Sequence, residues 1–264
     1  NVTSSGINIS LGCNNAFEFS GSSGSMVLAD NNAFDFSDKY TVEFWFYRTV
    51  NQYGTVISKF EDDGNNRGWM INFGESGGTD KLCVIHDNTG SWTNPIQWNT
   101  GFSPNLNQWY HAAVVFDASL PSNQLKLYVN GVFNAQTSWN YNVATNAANI
   151  YIGGYDSPGN GINGGANSRF FAGRLDEMRI WNIALSAADV ANNWNKTTNS
   201  TLSGLVASFD FNQGIPTGNN TTIVSLTDKS GNNFNAGFSG LARTGTTNNF
   251  VSSTSTILGI YNFS

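Results

Sequence analysis

Apolar and polar side chains alternate with a period of two through most of this chain, and that pattern restricts its fold more than any other feature. Ala16-Phe17-Glu18-Phe19-Ser20, Tyr40-Thr41-Val42-Glu43-Phe44-Trp45-Phe46-Tyr47 and Gly68-Trp69-Met70-Ile71-Asn72-Phe73 each put β-branched or aromatic side chains on at least one face, as half-buried strands do. Further strands are predicted within 81–86, 109–117, 124–129, 149–152 and 169–181, bounded by clusters of Gly, Asn, Asp and Ser. They follow one another too closely for helices to alternate with them. A parallel α/β fold is therefore excluded, and an all-β antiparallel sandwich is expected. With 39% hydrophobic and 11% charged residues, the chain is too apolar for disorder and too uncharged for a coiled coil. Its 264 residues suffice for one large core.

Two local signals are strong. Leu125-Lys126-Leu127-Tyr128-Val129-Asn130-Gly131-Val132-Phe133 reads as a tight hairpin, because Asn-Gly supplies the two positive-φ positions of a type I′ turn. The one helix predicted, near 186–195, has Ser186 as its cap, Asp189 to complete a capping box, and Leu185 and Val190 as a hydrophobic staple. A Thr/Asn-rich stretch then separates residues 1–200, the main sandwich, from 201–264. There Gly204-Leu205-Val206-Ala207-Ser208-Phe209-Asp210-Phe211 reads as a strand and Thr227-Asp228-Lys229-Ser230-Gly231-Asn232-Asn233 as a turn. This C-terminal part either packs on the sandwich or begins a further unit.

The net charge is −6 and the basic residues stand singly, which excludes a nucleic-acid groove or an anionic membrane surface as partner. No apolar run reaches the eighteen or so residues of a membrane span, and Asn1-Val2-Thr3-Ser4 is not a signal peptide. An exterior solvated by Asn, Ser, Thr and Gly suits a secreted or cell-surface protein, so the chain is read as a mature piece or a module of a larger protein. Cys13 and Cys83 either form one disulfide or stand as two small buried hydrophobes. The two cysteines and two histidines stand singly, without the close paired spacing of a Cys2His2 zinc site.

Hydrolysis of glycosides on such a sandwich needs paired carboxylates about 5–5.5 Å apart for a retaining mechanism. The glutamates Glu18, Glu43, Glu61, Glu75 and Glu177 are widely separated, and Asp176-Glu177 lies in a strand whose neighbours point to opposite faces. His111 and His86 sit in or at the end of strands and read as structural, and no nucleophile elbow or phosphate loop is present. The Gly-rich stretch 153–168 reads as a surface loop. Calcium needs six to eight oxygens, which Asp, Asn and Gly loops supply. Candidates are Asp62, Asp63, Asn65 and Asn66, then Asp156 and Asn160, and Asp176. Trp45, Trp109 and Trp181 alternate into strands as core. Trp92, Trp98, Trp139 and Tyr141 lie in polar stretches instead, where an exposed ring beside amides and carboxylates would bind a sugar face.

Several stretches, taken in order, resemble one family. They are 108–117 (Gln108-Trp109-Tyr110-His111 onward), Leu127-Tyr128-Val129-Asn130-Gly131, Ile150-Tyr151-Ile152-Gly153-Gly154 and 171–182, which holds Gly173-Arg174-Leu175-Asp176-Glu177, followed by Ala184-Leu185-Ser186. With Asn15-Ala16-Phe17-Glu18-Phe19-Ser20-Gly21 as first strand, the chain resembles laminin G-like jelly-roll domains of the concanavalin A-like lectin/glucanase superfamily, of the bacterial secreted type. The resemblance implies a two-sheet jelly roll, often calcium-bound, used for glycan or protein recognition. It further implies that Asp176 holds calcium (Ca2+) together with Ser20 or Gly21. The segment 204–211 with Asp228-Lys229-Ser230-Gly231-Asn232 resembles the opening of such units, here at the C-terminal end. The expectation is a non-catalytic, calcium-associated carbohydrate-binding module engaging a glycan or other extracellular ligand. A protein-binding adhesin or spacer is the alternative, and a glycoside hydrolase the second.

Overall fold

The computed structural model describes residues 15–61, 66–74, 78–91, 93, 95–155, 169–198 and 202–255. In chain order the strands are β1 (Asn15–Ser20), β2 (Ser25–Leu28), β3 (Lys39–Arg48), β4 (Gly54–Phe60), β5 (Arg67–Gly74), β6 (Gly78–His86), β7 (Ile96–Asn99) and β8 (Trp109–Asp117). They continue with β9 (Leu125–Val129), β10 (Val132–Thr137), β11 (Ile150–Ile152), β12 (Ala172–Trp181), β13 (Leu205–Phe209), β14 (Ser225–Leu226), β15 (Ala236–Ser239) and β16 (Asn249–Ser252). The α-helix, α1 (Ala187–Asn193), carries the predicted capping box on Ser186 and Asp189.

Two sheets result. One runs β10-β9-β8-β3-β12-β1-β16, with β13 also on β12, and the other runs β14-β15-β2-β11-β4-β5-β6-β7. Each pairing of these strands is antiparallel, as the alternating pattern and short turns require. Asn130 (φ 49°) and Gly131 (φ 78°) form the β9–β10 turn. The fold is a jelly-roll sandwich.

Alternation decides what each sheet buries. On β3, Val42, Phe44 and Phe46 enter the core between the sheets, as do Ala112, Val114 and Phe116 on β8 and Trp69, Ile71 and Phe73 on β5. The opposite face of the first sheet is partly roofed by α1: Val190 and Leu185 pack there with Ala113, Val115, Tyr128, Trp181 and Leu205.

The C-terminal segment closes this same sandwich. β13 pairs with β12, β15 with β2 and β16 with β1, so residues 205–252 contribute to both sheets. The turn behind β13 is pinned by Asp228, whose carboxylate accepts the backbone N–H groups of Ser208, Ser230 and Phe234 and the Ser230 hydroxyl.

β12 is not regular. Its register against β3 slips between Asp176 and Arg179, where Glu177 takes φ 45°. This bulge is where β12 leaves one neighbour for another: it pairs with β1 up to Leu175 and with β13 from Met178.

Candidate functional site

The structure separates the residues proposed from sequence. Trp98 and Trp139 are both buried in the core, a correction to their expected exposure. The Trp139 ring lies edge-on to His86 at 4.8 Å and beside Phe116, so it closes one end of the sandwich. Tyr141, 5.8 Å from it, is 43% exposed. Trp92, Asp62, Asp63, Asp156, Asn160 and Cys13 lie outside the described residues. Cys83 is buried in β6.

Asp176, Ser20 and Gly21 do not fit a single cation. Ser20 faces Ala172 across β1 and β12, four residues along the strand from Asp176, a separation of about 13 Å. The Asp176 carboxylate is already enclosed: Ser253 Oγ and Ser255 Oγ donate to Oδ2 at 3.0 and 2.7 Å, and the Glu177 N–H donates to Oδ1 at 2.9 Å. The carbonyl of Gly21 accepts from Gln52 Nε2. Among the described residues no group of three or more His, Cys, Asp or Glu side chains is placed to hold a metal.

Nor do the acids face an open trough. Glu43 Oε2 accepts from Arg179 Nε at 3.1 Å and from Trp181 Nε1 at 2.9 Å, and all three residues are fully buried. Burial pushes Glu43 up, against the pull of the Arg179 guanidinium. Glu177 is raised to about 7, again by burial and against Arg179, and Asp176 is raised well above the usual carboxylate range by burial and by the Glu177 charge. At the bulge both carboxyls are buried and within electrostatic reach of each other. Both histidines are buried and structural: His86 is lowered to about 3 by burial, with Nε2 2.6 Å from the Tyr40 hydroxyl, and His111 is lowered well below its ordinary value.

On the outer face of the first sheet one rung crosses four adjacent strands. Trp109 on β8 faces Tyr47 on β3, Tyr47 faces Arg174 on β12, and Arg174 faces Glu18 on β1. The Trp109 and Tyr47 ring centroids are 5.5 Å apart, and the Arg174 guanidinium lies over the Tyr47 ring at 4.9 Å. Arg174 Nε donates to Glu18 Oε2 at 2.5 Å, and Trp109 Nε1 donates to Thr254 Oγ1 at 3.2 Å. Tyr47, Trp109 and Arg174 are partly exposed, on the face that carries α1 further along. Trp109, which its strand pattern suggests is core, lies instead on this partly exposed face. The signal was present: the inward residues of β8 are Ala112, Val114 and Phe116, and Trp109 is out of phase with them by one.

A family model described as the Concanavalin A-like lectin/glucanases superfamily, laminin G type 3, matches residues 20–191. The chain belongs to that family. Among solved structures, this laminin G-like chain is similar to a candidate carbohydrate-binding protein of Bacteroides ovatus, at 17% identity and TM-score 0.65, over 93% of this chain and 62% of that one. The chain thus spans under two thirds of that protein's length. It also matches domain 4 of AbnA, a GH43 extracellular arabinanase from Geobacillus stearothermophilus, in complex with arabinotriose, at 21% identity and TM-score 0.47, over 67% of this chain and 75% of that one. A third match is the CBM40 of the Ruminococcus gnavus IT-sialidase bound to α2,3-sialyllactose, at 13% identity and TM-score 0.48, over 68% of this chain and 96% of that one. No curated protein matches the chain.

In this laminin G-like domain the rung combines the elements that sugar recognition uses. An indole and a phenol give flat apolar surface to the C–H face of a pyranose, while a guanidinium, here braced by the buried Glu18 carboxylate, donates to its oxygens. Because each of the four residues projects from a central strand rather than a loop, the group is held by the sheet ladder itself.

Proposed function

We propose that this chain is a non-catalytic carbohydrate-recognition module of a secreted or cell-surface protein. The observation that carries the reading is the rung on the first sheet in which Trp109, Tyr47 and Arg174 are partly exposed and the buried Glu18 holds Arg174. Membership of a superfamily that includes lectins supports it, as does the enclosure of Glu43, Asp176 and Glu177, which leaves them no substrate to protonate or attack. Among the described residues no helix is long and apolar enough to cross a membrane, and the sparsely charged, Asn- and Ser-rich sequence suits an extracellular setting. Calcium association rests on the oxygen donors of Asp62, Asp63, Asn65 and Asn66, and not on Asp176 with Ser20 and Gly21.

A glycan array probed with the full chain tests the reading, together with a reducing-end assay on every glycan retained. Retention of a related set of glycans without release of reducing ends is the expected result. Retention of none would favour a protein-binding spacer, and release of reducing ends would establish a hydrolase.

A further inference from the structure

We propose that the sugar taken by this rung carries a carboxylate, and that Arg174 binds it. The inference rests on the carbohydrate reading and adds the chemical class of ligand. A guanidinium has five N–H donors in a planar fork. In Arg174 the Nε–H is taken by Glu18 Oε2. Among the described residues the two terminal nitrogens find no hydrogen-bond partner, although the side chain is only 30% exposed. Those terminal groups are therefore the unused half of the fork, and they are held in place: Glu18 fixes one edge, and the Tyr47 ring, 4.9 Å from Cζ, fixes the plane. A neutral hydroxyl satisfies such a pair one bond at a time, whereas a carboxylate accepts two parallel bonds.

Position favours a sugar acid over a free carboxylate. The tilted Trp109 ring, 5.5 Å from that of Tyr47, supplies the neighbouring apolar surface for the pyranose body. Among the described residues no donor engages Glu18 Oε1, and at 11% exposure the Glu18 side chain serves chiefly to hold Arg174. Glu18 also offsets part of the Arg174 charge, so the preference for the acid is expected to be moderate and to weaken with salt.

Isothermal titration of the full chain with two matched pairs tests this: trigalacturonate against its carboxyl-reduced form, and 3′-sialyllactose against lactose. The expected result is that the acid of at least one pair binds about tenfold tighter than its neutral partner, a ratio typical of one charge-assisted contact. Which pair responds separates a uronate from a sialate. Arg174→Gln should abolish the ratio, and Arg174→Lys should restore only part of it, since an ammonium lacks the fork. The ratio on the unaltered chain requires no variant to fold, and melting temperatures of both variants accompany their titrations. Equal binding of acid and neutral sugar would overturn the inference while leaving carbohydrate recognition intact. An acid preference that survives in a folded Arg174→Gln would overturn it by placing the carboxylate elsewhere. Binding of neither member of either pair, with an empty array, would remove both readings.

Discussion

The indole of Trp181 and the carboxylate of Glu43 meet across β12 and β3, with Nε1 donating to Oε2 at 2.9 Å beneath α1. The same oxygen takes the Arg179 Nε–H, while Arg179 also donates to the Lys196 carbonyl. Removing one partner of a buried ion pair leaves the other charge desolvated and uncompensated. Glu43→Ala is therefore expected to cost about 3–5 kcal/mol in a urea titration, and Glu43→Gln distinctly less because the amide oxygen still accepts.

Glu177 makes stability depend on pH. Its folded pKa of about 7 lies above the ordinary value of 4.5, so between these values the folded state holds a proton that the unfolded state has lost. The stabilisation is complete below about 4.5 and disappears as pH rises through about 7. His86, lowered to about 3, acts in the opposite sense as pH falls below 6.5, and its contribution is common to parent and variant. The melting temperature of Glu177→Gln minus that of the parent should therefore rise between pH 5 and pH 8. A constant difference would contradict this.

Gly131 joins the hairpin to the helix that follows β12. Its φ is 78°, and a Cβ there would lie 2.4 Å from Cδ1 of Trp194, the residue that ends α1. Gly131→Ala should lower stability by about 1–3 kcal/mol in denaturant titration, from left-handed strain and the displaced indole together.

Calcium bound by the 62–66 segment would raise the melting temperature. A ligand at a hundred times its dissociation constant that binds only the folded state adds about 2.7 kcal/mol. Thermal melting with calcium and then with chelator should show that gain reversed, and identical melting curves would remove calcium from the account.

Much of this fold is legible in the sequence because its signals are local. The alternation in β3, β5 and β8, the Asn130-Gly131 turn and the Ser186 cap each depend on residues a few places apart. Long-range pairing is not local. Residues 204–211 read as a strand, but nothing nearby tells that β13 completes β12 while β16 completes β1. The Glu177 bulge is hidden for the same reason, since it exists only as a register difference between β12 and its neighbours. Polar neighbours around Trp98 and Trp139 suggest exposure, whereas single rings from β7 and a loop turn inward to close the sandwich. Trp109 is the opposite case. A large aromatic in a core-forming strand suggests burial by type, and only its phase against Ala112 and Val114 shows that it faces out.

The claim on which the account depends is that sugar docks on the Trp109 rung. The chain has eight tryptophans, so its indole N–H resonances form a small, resolvable set, and Trp109→Phe assigns one of them. Titrating a glycan retained on the array into the isotope-labelled chain should shift the Trp109 Nε1–H signal saturably while that of Trp181, fully buried on Glu43, stays in place. Saturable binding that leaves the Trp109 signal unmoved would contradict the account.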